Sequence, residues 1–318
     1  MKLPQLKIGD LIAQVPIIQG GMAVRISTGN LAGAVAAAQG IGVIGASGMT
    51  FDELADEIRI ARKKALDGII AINIMFAARE FLGIVNTAIK EKIDFIITGA
   101  GFSRDIFRIG REKNIPIVPI VSSAKLAKLA EKSGASAVIV EGKEAGGHLG
   151  TDRSIFDILP EILKAVKIPV IAAGGLVTGE LIAKAFRMGA SGVQLATRFV
   201  LSEECNASLP FKKRYQDARE EDVVLIESPV GMPGRALRTP FVDEIISGTA
   251  PKPVGCDYCL KNCSLKYCII QALIRSQKGD IDNGIVFSGE KVWQLKDRRI
   301  KPAKEIMNDI ISEIEEVP

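Results

Sequence analysis

Ile168-Pro-Val-Ile-Ala-Ala-Gly-Gly175 and Gly192-Val-Gln-Leu-Ala-Thr197 are two short apolar runs that stop on small residues. Branched aliphatics without polar alternation, ended by glycine or threonine, read as buried parallel strands running into tight turns. Between them Thr178–Met188 carries apolar residues at helical spacing. A strand, a helix and a second strand form the repeating unit of a parallel sheet.

Working back toward the N-terminus, the same unit recurs. Further runs lie at Pro16–Gln19, Gly42–Gly45, Ile69–Met75, Phe95–Thr98, Ile115–Val121 and Ala137–Glu141, with helical periodicity in Asn30–Ala38, Phe51–Lys64 and Ser123–Ser133. Six runs and the first two make eight, which predicts an α/β fold closed into a (β/α)8, or TIM, barrel. An open doubly wound sheet is the runner-up. It wants G-x-G-x-x-G after its first strand, whereas Gly20-Gly21-Met22 stands there. Residues 1–200 are expected to form the barrel core. Residues 201–318 are expected to form a helical and irregular cover: one helix within 203–250, a small cysteine-containing extension over 251–268, and a closing helix at Asp309–Val317.

Composition agrees. Hydrophobic residues make up 47% of the 318 and aromatics only 5%, so small and branched aliphatics must fill a large core. The 41 basic and 37 acidic residues are interspersed and leave a net charge of +4, so no basic tract points to nucleic acid. No apolar run is long enough to span a bilayer, and Met1–Asp10 lacks a signal-peptide pattern. A cytoplasmic location is the expectation, and bunched cysteines suit a reducing compartment.

Glycines mark one end of the strands: Gly20, Gly21, Gly45, Gly99, Gly101, Gly142, Gly146, Gly147, Gly174 and Gly175. In a barrel these are the βα loops at the C-terminal rim, where glycine lets backbone approach a flat ligand. Loops after the last two strands commonly hold a phosphate through backbone N–H groups and a short helix N-terminus. Gly174, Gly175, Ala196 and Thr197 are placed to donate. Gln194 and Leu195 end the eighth strand, and the Gln194 amide could orient a ring or a polyol chain. Asn73 interrupts Ile69–Met75, and a buried amide there must be hydrogen-bonded. His148 is the only histidine. It follows Gly146-Gly147 on the rim, and its ordinary pKa suits proton transfer, which makes it the candidate catalytic residue. Glu141, at a strand end, is expected to touch the ligand. Lys143 and Glu144 read as solvent-facing or helix-start residues.

Together, Gln19-Gly-Gly-Met22, Asn73, Thr98-Gly-Ala-Gly101, the Glu-Gly-x-Glu-Ala-Gly-Gly-His stretch at 141–148, Ala172-Ala-Gly-Gly175 and Gln194-Leu-Ala-Thr-Arg-Phe199 resemble the nitronate monooxygenase (2-nitropropane dioxygenase) family. That family includes the FMN-dependent enoyl-acyl-carrier-protein reductases of type II. The resemblance covers about residues 5–240. It implies an FMN-dependent oxidoreductase that oxidises alkyl nitronates. FMN would be contacted by Gly21, Met22, Asn73, Glu141, Gly146, Gly147, Gly174, Gly175, Gln194, Leu195, Ala196 and Thr197, with His148 catalytic. The alternative within the family is NAD(P)H-dependent reduction of an enoyl thioester or quinone. Glu141 leans that way, since the nitronate enzymes often carry glutamine at that position. A flavin-binding electron-transfer module without catalysis is the third reading. The expected partners are a small-molecule or acyl-thioester substrate, with a homodimer as the assembly.

Cys256, Cys259, Cys263 and Cys268 form C-x2-C-x3-C-x4-C. Four thiolates so close can hold a [4Fe–4S] cluster or Zn²⁺. The spacing is short for a zinc ribbon, which favours iron–sulfur over zinc, with metal-free thiols as the alternative. Cys205, alone, reads as a buried apolar residue.

Overall fold

The computed structural model describes residues 3–318. Met1 and Lys2, part of the expected core domain and N-terminal stretch, lie outside the described residues. Eight parallel strands among the described residues close a barrel. They are β1 (Ile17–Gln19), β2 (Ile41–Gly45), β3 (Ile69–Met75), β4 (Phe95–Gly99), β5 (Ile117–Val121), β6 (Val138–Glu141), β7 (Val170–Ala173) and β8 (Gly192–Leu195). Each pairs with its sequence neighbours, and β8 closes onto β1 through Gln194 opposite Ile18.

The helices around the barrel are α1 (Gly29–Ala37), α2 (Phe51–Ala65), α3 (Phe81–Lys90), α4 (Arg104–Lys113), α5 (Ala124–Ser133), α6 (Ile155–Ala165) and α7 (Gly179–Arg187). Local chemistry sets their ends. Thr50 and Glu53 form a reciprocal capping box on α2, and Ser123 and Gly134 bracket α5. Side chains alternate along the strands as the pleat requires. In β3, Ala71 faces the barrel interior with Phe95, Ile97 and Ile139, while Ile70, Ile72 and Ile74 face the helices. A short hairpin, Leu6–Ile8 with Leu11–Ala13, sends Leu6, Ile8 and Ala13 into the interior cluster and plugs the N-terminal end. Helix α1 lies so close on β2 that a Cβ on Gly42 would stand 1.8 Å from the Ala32 carbonyl oxygen.

The eighth helix differs from the rest. α8 (Thr197–Val200) is one turn long. The gap in the ring is filled by α12 (Ala303–Glu315), whose Ile306, Met307, Ile310 and Ile314 are buried against the barrel between α7 and α1. Arg198 on α8 ties it down with two hydrogen bonds to Glu313, of 2.7 and 2.8 Å. The outer ring is therefore incomplete at residue 200 and closes only with the last helix. That helix begins earlier than the periodicity from Asp309 predicts.

Residues 203–250 also hold more than one helix. α9 (Leu209–Asp217) is followed by an antiparallel hairpin, β9 (Val223–Glu227) and β10 (Pro233–Leu237), and then by α10 (Pro240–Ser247). The β-branched run from Val223 and the Ser228-Pro-Val-Gly-Met-Pro233 turn carry the hairpin signal. β10 also pairs with Gly147–His148 and with Val286–Phe287, so the cover is stitched to the loop after β6. α11 (Ile269–Lys278) completes the cover with its own core, where Tyr267, Phe241, Val242 and Ile285 are buried. No helix among the described residues is long and apolar enough to cross a membrane.

Candidate functional site

The C-terminal rim opens into a cavity of about 530 Å³. Gly21, Met22, Asn73, Glu141, Gly146, Gly147, His148, Gly174, Gly175, Gln194, Leu195, Ala196 and Thr197 all line it, so the candidate rim residues converge on one space.

The loop after β1 is shaped from below. Buried Gln19 accepts from the Val43 N–H (3.1 Å) and donates to Ser27 Oγ (2.9 Å) and to the Gly20 carbonyl. Ser27 Oγ in turn accepts from the Met22 N–H (3.0 Å) and donates to the Gly20 carbonyl (3.1 Å). Asn73 Nδ2 donates to the Gly21 carbonyl (3.2 Å), which is the partner its position in an apolar strand demands. Gly21 has no room for a side chain, because a Cβ there would stand 2.5 Å from Asn73 Cβ.

The loop after β7 bends through Gly174 and Gly175, at φ +94° and +70°. A Cβ on Gly175 would lie 2.7 Å from Glu144 Cβ. Glu144 is buried rather than solvent-facing. Its Oε2 accepts from the Ile155 N–H (3.0 Å) at the start of α6, and its carbonyl accepts from the Glu290 N–H (3.0 Å). An acid so placed satisfies a helix N-terminus from inside the fold. On β8, Gln194 Oε1 is buried without a partner among the described residues. A buried, orphaned acceptor costs roughly 1–3 kcal/mol, and such an atom calls for a donor in the cavity.

Glu141 and His148 are among the titratable groups that line this space. Burial pushes the Glu141 carboxyl up to about 7 and the His148 imidazole down to about 4. His148 is thus neutral at neutral pH. Its Nε2 lies 2.7 Å from Ser228 Oγ, and its ring meets the edge of Phe287 at 5.3 Å. Ser228 Oγ also accepts from the Val230 N–H (3.3 Å). No lysine or arginine lines the cavity among the described residues.

Sequence reasoning missed the roof. Tyr215, Val230, Met232, Ile270, Leu273 and Phe287 line the cavity from the cover, and Ser228 holds the histidine. The turn Ser228–Pro233 was the signal available for Ser228, through its return strand beside the histidine. Of the four clustered cysteines only Cys259 lines the cavity. Burial first, and then the nearby Cys268, Cys263 and Cys256, push its thiol up to about 11. No group of three or more His, Cys, Asp or Glu side chains among the described residues is gathered to hold a metal ion. Cys205 is buried, as expected.

Comparison with known proteins adds to this geometry. The family model for nitronate monooxygenase matches residues 5–84 and 61–313. The chain is 34% identical over 237 residues to the (3aS,4S,5R,7aS)-5-hydroxy-7a-methyl-1-oxo-octahydro-1H-indene-4-carboxyl-CoA dehydrogenase of Mycobacterium tuberculosis. That match covers 74% of this chain and 66%, just under two thirds, of the relative's length. A probable nitronate monooxygenase of Staphylococcus aureus is 26% identical, with 96% of each chain covered. The solved structure of FabK from Thermotoga maritima is 34% identical with a TM-score of 0.86, covering 96% of this chain and 94% of FabK.

Proposed function

This chain is an oxidoreductase of the nitronate monooxygenase family, and from that premise we propose that it binds FMN at the barrel rim and reduces an α,β-unsaturated acyl thioester with NAD(P)H. The observation that carries the choice of substrate is the charge of the cavity. It offers a neutral imidazole, a carboxyl poised near neutrality, the Glu144 carboxyl capping α6 and no cation. An anionic nitronate would enter without a counter-charge, whereas a neutral thioester carbonyl needs only a hydrogen-bond donor. The two relatives at 34% identity support the same direction. One is named for a CoA ester, and the other is FabK.

The rim suits FMN. Backbone N–H groups of the Gly174-Gly175 turn and of Ala196-Thr197 would take the phosphate, and the orphaned Gln194 Oε1 would accept from a polyol hydroxyl or ring N–H. Asn73, held to the Gly21 carbonyl, stands at the polar edge of the same floor. Bound there, FMN supplies hydride transfer between nicotinamide and the β-carbon of the substrate.

The chain's own residues do the rest. If Ser228 donates its hydroxyl hydrogen to His148 Nε2, the imidazole keeps its proton on Nδ1. That proton is then available to the thioester carbonyl oxygen as negative charge develops. The same effect in a low-dielectric site is worth roughly 3–4 kcal/mol in comparable single-donor removals. The apolar roof keeps water from the reacting carbons.

Anaerobic stopped-flow mixing tests the reading. NADH should bleach the flavin at catalytic rates, and crotonyl or longer enoyl thioesters should restore its colour. Bleaching by propyl-2-nitronate and not by NADH would transfer the assignment to nitronate oxidation. That second reading is favoured by the probable nitronate monooxygenases among the relatives.

A further inference from the structure

The cysteine segment is joined to both sides of the cavity mouth. On one side Leu260 forms an antiparallel bridge with Ala78, the Arg79 N–H donates to the Cys259 carbonyl (3.0 Å), and the Lys261 N–H donates to the Ala77 carbonyl (2.9 Å). On the other side the Ser264 N–H donates to the Pro229 carbonyl (3.0 Å), and Tyr267 Oη donates to the Glu227 carbonyl (3.0 Å), next to the serine that holds His148. Between these anchors the chain is exposed and has no helix or strand. A loop of that kind has too little burial of its own to fix one conformation.

Its backbone nevertheless has the form of a ligand loop. The Tyr258 N–H donates to Cys256 Sγ at 3.3 Å across the Cys256-Asp-Tyr-Cys259 turn. Tyr258 and Leu265 sit at φ +50° and +57°, a conformation that disfavours bulky side chains and needs something to hold it. Cys259 and Cys268 lie at the anchored ends and are half-buried, while Cys256 and Cys263 are exposed and can move without disturbing a core.

We propose that Cys256, Cys259, Cys263 and Cys268 ligate one metal centre through four thiolates, and that this centre fixes the roof over the cavity. The short intervals favour a [4Fe–4S] cluster, because four sulfurs within one small loop enclose a single compact group. Among the described residues the four sulfurs are not gathered into one group. Sites of this class close only as the metal binds, each thiol releasing its proton to solvent. The centre's role is to hold the loop, with no electron transfer assigned to it. The proposal is independent of the substrate.

The test is metal and acid-labile sulfide analysis of protein purified without oxygen and then treated with ferric iron, dithiothreitol and sulfide, or with Zn²⁺ alone. About four iron and four sulfide per chain is the expected result. About one zinc per chain without sulfide would keep the four-thiolate centre and replace its metal. Cys256→Ser changes an exposed side chain and should leave FMN content unchanged. It should weaken metal binding at least about tenfold, since loss of even an outer partner of a ligand does that much. The same variant should also open the loop to limited proteolysis between residues 251 and 268 and raise KM more than it lowers kcat. Metal at trace levels in every preparation, or undiminished metal in both Cys256→Ser and Cys263→Ser, would overturn the proposal.

Discussion

The floor and the roof of the cavity are built by different rules. The floor is backbone: glycine turns at strand ends, each fixed by the barrel's register and by the small residues that register demands. The roof is side chain. It comes from α9, the β9–β10 hairpin, α11 and the cysteine loop, elements far apart in sequence, and β10 stitches them to the barrel by pairing with Gly147–His148. The floor thus sets what kind of ligand is held, and the roof decides what chemistry happens above it. His148 belongs to both, since it leaves the barrel through two glycines and is aimed by a serine of the cover.

The comparison breaks first at His148. His148→Ala should keep its FMN, because the floor is intact, and lose about 10²-fold or more in turnover. Steady-state rates at constant flavin content check this, and unchanged turnover would remove the residue from the mechanism. Next comes a floor change. Gly175→Val forces a branched residue to φ +70° and against Glu144, so FMN affinity should drop tenfold or more for about 1.4 kcal/mol of strain. Equilibrium dialysis of the flavin reads that loss directly, and a variant that holds FMN as tightly as the parent would show that the turn is not the phosphate seat.

A milder roof change sharpens the division. Ser228→Ala removes the Nε2 partner without touching the floor. It should cost roughly tenfold in kcat at unchanged FMN affinity, in line with one lost hydrogen bond. An equal loss of flavin would place Ser228 in the floor's support instead.

The smallest effect expected is electrostatic. Glu141 holds its proton below about pH 7 and ionises above it, because burial opposes the charge. The folded state therefore binds a proton that the unfolded chain has already lost in the window from the ordinary carboxyl range up to about 7. Stability from this group falls as pH rises through that window. FMN, an anion, should bind less tightly above pH 7 by less than about tenfold, and Glu141→Gln should flatten the profile in a fluorescence titration.

The same contrast explains what could be read from the sequence. Barrel strands announce themselves because burial on both faces leaves only branched aliphatics, and seven-residue Ile69–Met75 is read to the residue. Rim residues from Gly21 to Thr197 are legible because glycine at a strand end has few other uses. Ser228 was not, since a serine before proline in a turn looks like any surface turn until its return strand is known to pair beside the histidine. Glu144 was misplaced for a related reason: a carboxylate in a polar loop reads as solvated, and only the three-dimensional approach of α6 gives it a buried N–H to accept. The closing helix was found but started too late, because Ala303 to Asn308 is half polar and its apolar members gain their meaning only against α1 and α7.

That last helix sets the order in which the molecule can be made. A ribosome delivers the eight strands and seven of their outer partners well before residues 303–315 emerge, and until then a greasy strip between the first and seventh helices stays wet. The ring is therefore sealed by residues 303–315, as a hoop is by its clasp. Synthesis interrupted anywhere short of Ala303 should yield a sticky, protease-sensitive product in place of a smaller working enzyme.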